Sequence, residues 1–203
     1  IRKLSCTQDK REKASIIKAK KNITRADVVC LIMDTLEFPT RQDTAIAHLA
    51  HNSAKPLILV LNKWDLIQKD SRSTEAFKKR AYGKLDFVSY APLVFTSALS
   101  GKRIVNILDL ARKVYENACK KVSTSRLNNF LAWINENYPP VTHKKRKIKI
   151  KYMTQIKVLP PTFILFTHSQ SSLDAAFEKF FINKIRERFG YLGTPIRIAL
   201  RRS

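Results

Sequence analysis

The sequence predicts an α/β chain in two parts: a layered parallel sheet that lacks its first strands, then a small α+β domain ordered α-β-β-α-β. Three observations carry this prediction. Apolar runs of strand length, Val28 to Met33, Leu57 to Leu61 and Leu93 to Thr96, alternate with stretches of helical periodicity near residues 11–22, 40–51, 74–84 and 103–119. That alternation belongs to a sheet covered by crossover helices. From Thr124 onward the pattern changes to two amphipathic helices and three short strands. The 203 residues also hold 39 Lys and Arg against 16 Asp and Glu, a formal charge of +23, far outside the range of an ordinary soluble domain.

Each element has its own justification. The uninterrupted apolar runs read as strands buried on both faces, the signature of a parallel sheet. In the helix at 103–119, Ile104, Ile107, Leu108, Ala111, Val114, Tyr115 and Ala118 recur at helical spacing and predict one face buried against that sheet. Lys120-Lys121-Val122-Ser123 is a polar crossing too short to act as a long tether. The boundary is therefore set at Lys121, with residues 1–121 as one domain and 122–203 as the other.

The second domain reads as a helix over Thr124 to Asn137, strands near Lys147 to Thr154 and Thr162 to Phe166, a helix over Ser172 to Phe189, and a last strand from Pro195. Leu127, Phe130, Leu131 and Ile134 on the first helix, with Leu173, Phe177, Phe180, Phe181 and Ile185 on the second, can cover one side of a sheet. Ile148, Ile150 and Tyr152 alternate with Lys147, Lys149 and Lys151, and Ile196, Ile198 and Leu200 alternate with Arg197 and Arg201. The period of two sends the apolar set to the core and leaves a cationic face.

That face predicts a nucleic-acid partner. Through Lys121 there are 24 basic and 12 acidic residues, and beyond it 15 and 4, so the smaller domain is the more charge-dense. Such a field draws in phosphate backbone through counterion release, with steep salt dependence. The expected RNA-binding set is Lys144, Lys145, Arg146, Lys147, Lys149, Lys151, Arg197 and Arg201. A lysine row also protects an exposed strand edge, and the Lys144 to Lys147 run also suits a solvated loop or a localisation signal. Aromatic residues among these cations are few, Tyr152 and Tyr191, which favours backbone and shape recognition over base readout. No run of 18 apolar residues is present to suggest a membrane span.

The chemistry-bearing motif is Asn62-Lys63-Trp64-Asp65, placed directly after the apolar run Leu57 to Leu61, with Thr96-Ser97-Ala98-Leu99 after the next one. A carboxylate at Asp65 can accept two hydrogen bonds from the neighbouring N–H donors of guanine, which adenine does not offer. Asn62 would bond the opposite edge of the base or brace the neighbouring loop. The stem of Lys63 would cover the ring while its ammonium tethers adjacent backbone. The Ala98 amide would meet the guanine carbonyl. Both segments sit where open α/β sheets place ligands, at the C-terminal ends of strands. The expected nucleotide-binding residues are Asn62, Lys63, Trp64, Asp65, Ser97, Ala98 and Leu99; the plainer alternative is a polar turn that caps a strand.

With only Gly83, Gly101, Gly190 and Gly193, no G-x-x-x-x-G-K-[ST] phosphate loop can be written in these residues, so none of them is expected to be catalytic. Cys6, Cys30 and Cys119 are too widely spaced for a zinc site, and His48 and His51 lack a third ligand, so no metal site is expected. Gly190-Tyr191-Leu192-Gly193 matches the G-x-x-G of RNA-clamping loops, but it lies between a helix and a strand. A helix-capping glycine followed by a turn explains it better.

Taken in order, Ile1-Arg2-Lys3, Arg25-Ala26-Asp27-Val28-Val29, Asn62-Lys63-Trp64-Asp65, Ser123-Thr124-Ser125-Arg126-Leu127-Asn128, Pro160-Pro161-Thr162-Phe163 and Gly193-Thr194-Pro195-Ile196-Arg197 resemble stretches of the Der (EngA) family of ribosome-assembly GTPases. The resemblance covers the later half of the family's second GTPase domain and its terminal KH-like domain. It implies a truncated P-loop-GTPase-type sheet followed by a KH-like domain without a clamping loop, unlike the Era family. It implies GTP or GDP at the guanine end of a pocket, with Mg²⁺ and hydrolysis depending on upstream residues absent from this stretch. Ribosomal RNA and the precursor of the large ribosomal subunit are the implied partners, for a monomer that makes no membrane contact. The implied location is the cytoplasm, at the ribosome, with the mitochondrial or plastid matrix as alternative. The chain departs from the family at Leu4 to Arg11, where a switch segment is usually richer in glycine. The competing reading is a stand-alone RNA-binding or structural ribosome-associated protein that keeps a degenerate, non-hydrolysing scaffold.

Overall fold

The structure, a computed structural model, describes residues 18–68, 73–138, 150–168 and 173–202. It divides into two compact units between Tyr115 and Glu116. The first begins with helix α1 (18–25) and continues β1 (Val29–Asp34), α2 (Arg41–Asn52), β2 (Leu57–Asn62), α3 (Ser73–Lys84), β3 (Leu93–Phe95) and α4, whose span Val105–Ala118 crosses the division. The strands form a parallel sheet in the order β1-β2-β3.

Strand β2 is the hub because every one of its apolar side chains is buried, Leu57 through Leu61 being at most 1% exposed. Burying each contributes roughly 1.5–3 kcal/mol. Leu57, Leu59 and Leu61 join Leu31, Met33 and Phe38 on one face, while Ile58 and Val60 meet Val114, Ile107, Leu110 and Ala111 of α4 on the other. The stripe of α4 that packs is thus narrower than its periodicity predicts: Leu108 is 73% exposed, and Ile104 and Tyr115 lie partly in solvent. Residues 107, 110, 111 and 114 lie along one helical row, and 108 turns about 100° away from it. Helix α2 starts at a capping box, in which the Asp43 amide donates to Thr40 Oγ1 at 3.1 Å and the Thr40 amide to Asp43 Oδ2 at 2.8 Å. Its two histidines face aromatic rings, His48 stacked on Phe87 at 3.7 Å and His51 Nδ1 3.1 Å from the Tyr90 hydroxyl.

The second unit contains α5 (Thr124–Asn137), β4 (Ile150–Lys157), β5 (Thr162–Thr167), α6 (Ala175–Phe189) and β6 (Arg197–Arg202). The sheet order is β4-β5-β6, with β5 antiparallel to β4 and parallel to β6. The core forms as the helical patterns require, from Leu127, Phe130, Leu131 and Ile134 of α5 and Leu173, Phe177, Phe181 and Ile185, packed on Phe163, Leu165 and Met153. The outer edge of β4 is covered by α5. Asn128 Oδ1 accepts from the Met153 amide at 3.0 Å and its Nδ2 donates to the Met153 carbonyl at 3.1 Å, while Asn135 Nδ2 donates to the Ile150 carbonyl at 2.8 Å. These contacts occupy backbone groups that a free strand edge would offer to another chain. The crossing into this unit is stapled as well, since Gln155 Oε1 accepts from the Val122 amide at 2.8 Å and Nε2 donates to the Lys120 carbonyl at 2.9 Å.

The simple alternation expected in β4 fails at Tyr152. Pairing with β5 shifts between Ile150 and Tyr152, so Ile150 and Met153 are buried whereas Lys151 and Tyr152 are both exposed. An extra residue in the strand turns the following side chain to the other face. Strand β6 keeps its alternation, with Ile196 buried, Ile198 and Leu200 half-buried, and Arg197 and Arg201 exposed.

Candidate functional site

Three parallel strands end side by side, and their C-terminal ends bring together Asp34, the segment Asn62–Asp65, and Thr96–Ala98. The pairing puts Asp34 directly beside Asn62. The Thr35 amide donates to the Asn62 carbonyl at 3.0 Å and the Thr35 hydroxyl bonds the same oxygen. The Trp64 amide donates to the Thr96 carbonyl at 2.9 Å, so both neighbouring strand ends hold the motif through its backbone.

Asn62 takes the bracing role. Its Oδ1 accepts from the Ala98 amide at 2.9 Å and faces the Thr96 hydroxyl at 3.5 Å. The Ala98 N–H, expected at a guanine carbonyl, is thus engaged by Asn62. Ser97 is 2% exposed; its Oγ accepts from the Ser100 amide at 3.2 Å and its own amide donates to the Lys102 carbonyl, making it a staple of the turn. Leu99 stands 91% exposed at the tip.

Lys63 adopts left-handed backbone, φ +65°, which lifts its side chain out of the strand direction. Its ammonium does not tether backbone, as the sequence predicts, but pairs with Asp34 Oδ2 at 2.5 Å. The hydrogen bond from Lys63, and after it the Leu36 amide on Oδ1, hold the Asp34 carboxyl below its usual range, and Asp34 raises the Lys63 ammonium in turn. Asp34 is the residue that sequence reasoning missed. The signal was present, since an acidic residue ends the apolar run beside the one that carries Asn62.

Trp64 corrects a second expectation. Its indole is 6% exposed and packs at 4.3 Å on Phe95 and 5.1 Å on Phe77, so it anchors the short 3-10 turn Trp64–Leu66 to the core. Asp65, next in the turn, is exposed and lines a small cleft of about 20 Å³ with Ser97, Lys102 and Arg103.

Of the expected RNA-binding residues, Lys144, Lys145, Arg146, Lys147 and Lys149 lie outside the described residues. Lys151, Arg197 and Arg201 are exposed on the second sheet. Tyr152 pairs across strands with Phe166, rings 5.8 Å apart, and Phe166 pairs with Arg201, giving one row in which two aromatic rings adjoin an arginine. Tyr191, the other aromatic residue expected near the cations, is fully buried; burial pushes its phenol up to about 12. Gly190 caps α6 with φ +90°, its amide donating to the Arg186 carbonyl at 2.9 Å, while Arg186 holds the carbonyls of Tyr191 and Thr194. The G-x-x-G is therefore a helix cap and turn. Cys30, within the apolar run Val28 to Met33, is exposed on β1. Among the described residues no group of three His, Cys, Asp or Glu could hold a metal ion, and no helix is long and apolar enough to cross a membrane.

Residues 16–117 match the family described as the elongation factor Tu GTP binding domain, and residues 121–201 that described as the KH-domain-like of EngA bacterial GTPase enzymes, C-terminal. The chain is 40% identical over 201 residues to GTPase Der of Acetivibrio thermocellus, covering 99% of this chain and 46% of that protein. It is 42% identical over 201 residues to GTPase Der of Fusobacterium nucleatum subsp. nucleatum, covering 98% and 46%, and 39% identical over 202 residues to that of Caldanaerobacter subterraneus, covering 100% and 46%. The chain thus spans a little under half the length of these relatives. The strand-end motif at Asn62, the capped KH-like unit and these matches agree: the chain belongs to the Der (EngA) family of GTPases, as the later half of a GTPase domain followed by the family's C-terminal KH-like domain.

Proposed function

We propose that this chain supplies guanine recognition and an RNA-facing surface to a GTP-binding factor that acts in maturation of the large ribosomal subunit, in the cytoplasm and bound to ribosomal precursors. The observation that carries the reading is the convergence of Asn62, Lys63 and Asp65 with the Ser97–Ala98 turn at three parallel strand ends. Asp65 is the discriminating group, since an exposed carboxylate accepts from both N1–H and the exocyclic amine of guanine. Lys63, steered by Asp34, lays its stem beside that position. Phosphate binding, Mg²⁺ and hydrolysis call for a phosphate loop, which no stretch of these residues spells. On the second unit, Lys151, Arg197 and Arg201 contact phosphates of ribosomal RNA.

Fluorescent GDP titrated into the intact protein tests the first half. Asp65→Asn should weaken GDP binding about 10- to 100-fold and improve binding of xanthosine diphosphate, which presents a carbonyl where guanine presents an amine. Unchanged GDP affinity would remove Asp65 from the pocket. For the second half, Arg197→Gln with Arg201→Gln should flatten the log–log salt dependence of binding to a ribosomal RNA stem by roughly 1.8. An unaltered slope would assign both arginines to solvent.

A further inference from the structure

The helical side of the KH-like unit carries a groove that the reading above leaves unused. It lies between α5 and α6, has a volume of about 440 Å³, and is lined by Arg126, Phe130, Trp133, Lys184, Arg188 and Phe189, among others. Arg126 and Trp133 stand seven residues apart on α5, and Lys184 and Arg188 four apart on α6, so each pair shares one helix face. We propose that this groove binds single-stranded RNA, stacking one base on Trp133 and holding the adjoining phosphates with Arg126, Lys184 and Arg188.

Trp133 is 42% exposed, whereas Leu127, Phe130, Leu131 and Ile134 of the same helix are buried. Among the described residues the ring neighbours of Trp133 are Tyr138, 5.4 Å away at 65°, and Phe130, 6.2 Å away at 34°, neither of them parallel to the indole. Two of the cations lie over aromatic rings. The Arg126 guanidinium sits 5.6 Å over Phe189, and the Lys184 ammonium 5.7 Å and 6.0 Å over Phe180 and Tyr138. Glu187, bonded to Lys184 at 2.8 Å, is the one carboxylate on the lining, against three cations.

A site with net positive charge around an exposed indole takes an anionic, planar ligand. A duplex keeps its bases stacked inside and cannot use the indole, whereas an unpaired segment can. An acidic peptide would satisfy the cations and leave the indole plane uncovered. The groove is also separate from the arginines of β6, because α5 and α6 pack on the opposite face of the sheet.

The inference takes from the proposed function only its partner class, RNA, and the test separates the two. The protein is titrated with oligouridylate of about twelve residues, within the span that one such groove and its flanks can follow, while intrinsic fluorescence is recorded. Of the two tryptophans, Trp64 is 6% exposed, so quenching reports Trp133. Binding with quenching is expected, and Trp133→Phe should abolish the quench. Trp133→Ala should weaken binding roughly 5- to 100-fold, and Arg188→Gln should lower the log–log salt slope by about 0.7. Thermal melts by circular dichroism establish that each variant is folded, and Trp133→Phe and Arg188→Gln decide the matter if the alanine variant is not. The double variant Arg197→Gln, Arg201→Gln should leave the quench in place. Absence of oligouridylate binding, binding without quench, or affinity indifferent to Trp133→Ala would each overturn the proposal. A stronger quench by oligoglutamate would do so too, making the occupant an acidic protein segment. None of those results touches the sheet face, whose stem-RNA binding is read separately.

Discussion

Replacing Tyr191 by phenylalanine should change not only the stability of the KH-like unit but the way that stability depends on pH. The phenol is fully buried, and its hydroxyl donates to the Lys120 carbonyl at 3.4 Å. Burial is the main reason its pKa rises from 10.0 to about 12. Below pH 10 the group is neutral in both folded and unfolded chains, and the substitution costs the hydroxyl's hydrogen bonds, the long one to Lys120 and one shared with the Gln155 side chain, about 0.5–1 kcal/mol in all. Above pH 10 the unfolded chain releases the proton and the folded chain keeps it. Stability of the native sequence therefore falls with rising pH, by about 1.4 kcal/mol at pH 11 and roughly 2.7 kcal/mol at the full shift. The Tyr191→Phe variant has no proton to lose at this position, so it should be the less stable protein at pH 8 and the more stable one at pH 11. Urea unfolding followed by circular dichroism at pH 8, 9.5 and 11 measures this, and all other titrating groups cancel in the difference between the two proteins. Parallel profiles, or a native advantage that persists at pH 11, would refute the argument that burial sets this phenol's titration.

Other expectations follow from single contacts. Gly190→Ala should lower stability by about 1–3 kcal/mol in urea titration, because φ +90° with ψ −123° is costly for any side chain, and a Cβ there would also stand 3.0 Å from Lys120 Nζ. Asn128→Ala should cost about 1–3 kcal/mol and speed hydrogen exchange at the Met153 amide, whose partner is lost. Lys63→Met should move the Asp34 titration, followed by NMR, upward toward the ordinary carboxylate range. The ion pair is intact at neutral pH and is lost as pH falls through the lowered Asp34 value, so the variant should differ from the native protein near neutrality and converge with it in acid.

Most of the secondary structure was legible because buried parallel strands and amphipathic helices leave unambiguous periods. Helix α5 runs over Thr124–Asn137, as its pattern predicts, and the apolar sets of both helices in the second unit reach the core. What escaped was local and geometric. The shift at Lys151 is set by pairing with β5, and no period of two within β4 encodes it. Trp64 sits inside a polar tetrapeptide, so its direction depends on the left-handed residue before it and on Phe77 and Phe95, which are distant in sequence. Asp34 closes an apolar run and was readable as a strand end, but its pairing with Lys63 follows from the register that sets its strand beside the one that ends in Asn62. The arginine row was readable, but the aromatic pair Tyr152 and Phe166 next to it belongs to two strands and exists only in the folded sheet.

The order of the second sheet also bears on how that surface comes into being. Strands β4 and β5 are antiparallel neighbours joined by a short connection, a pairing that closes quickly. Strand β6 must wait for the whole crossover from Thr167 through α6 before it can lie parallel to β5. During synthesis it is also the last of these strands to leave the ribosome. Arg197 and Arg201 therefore reach their places only when the domain closes, and a nascent chain halted before Arg197 would pair β4 with β5 yet present neither arginine, with one edge of β5 left open.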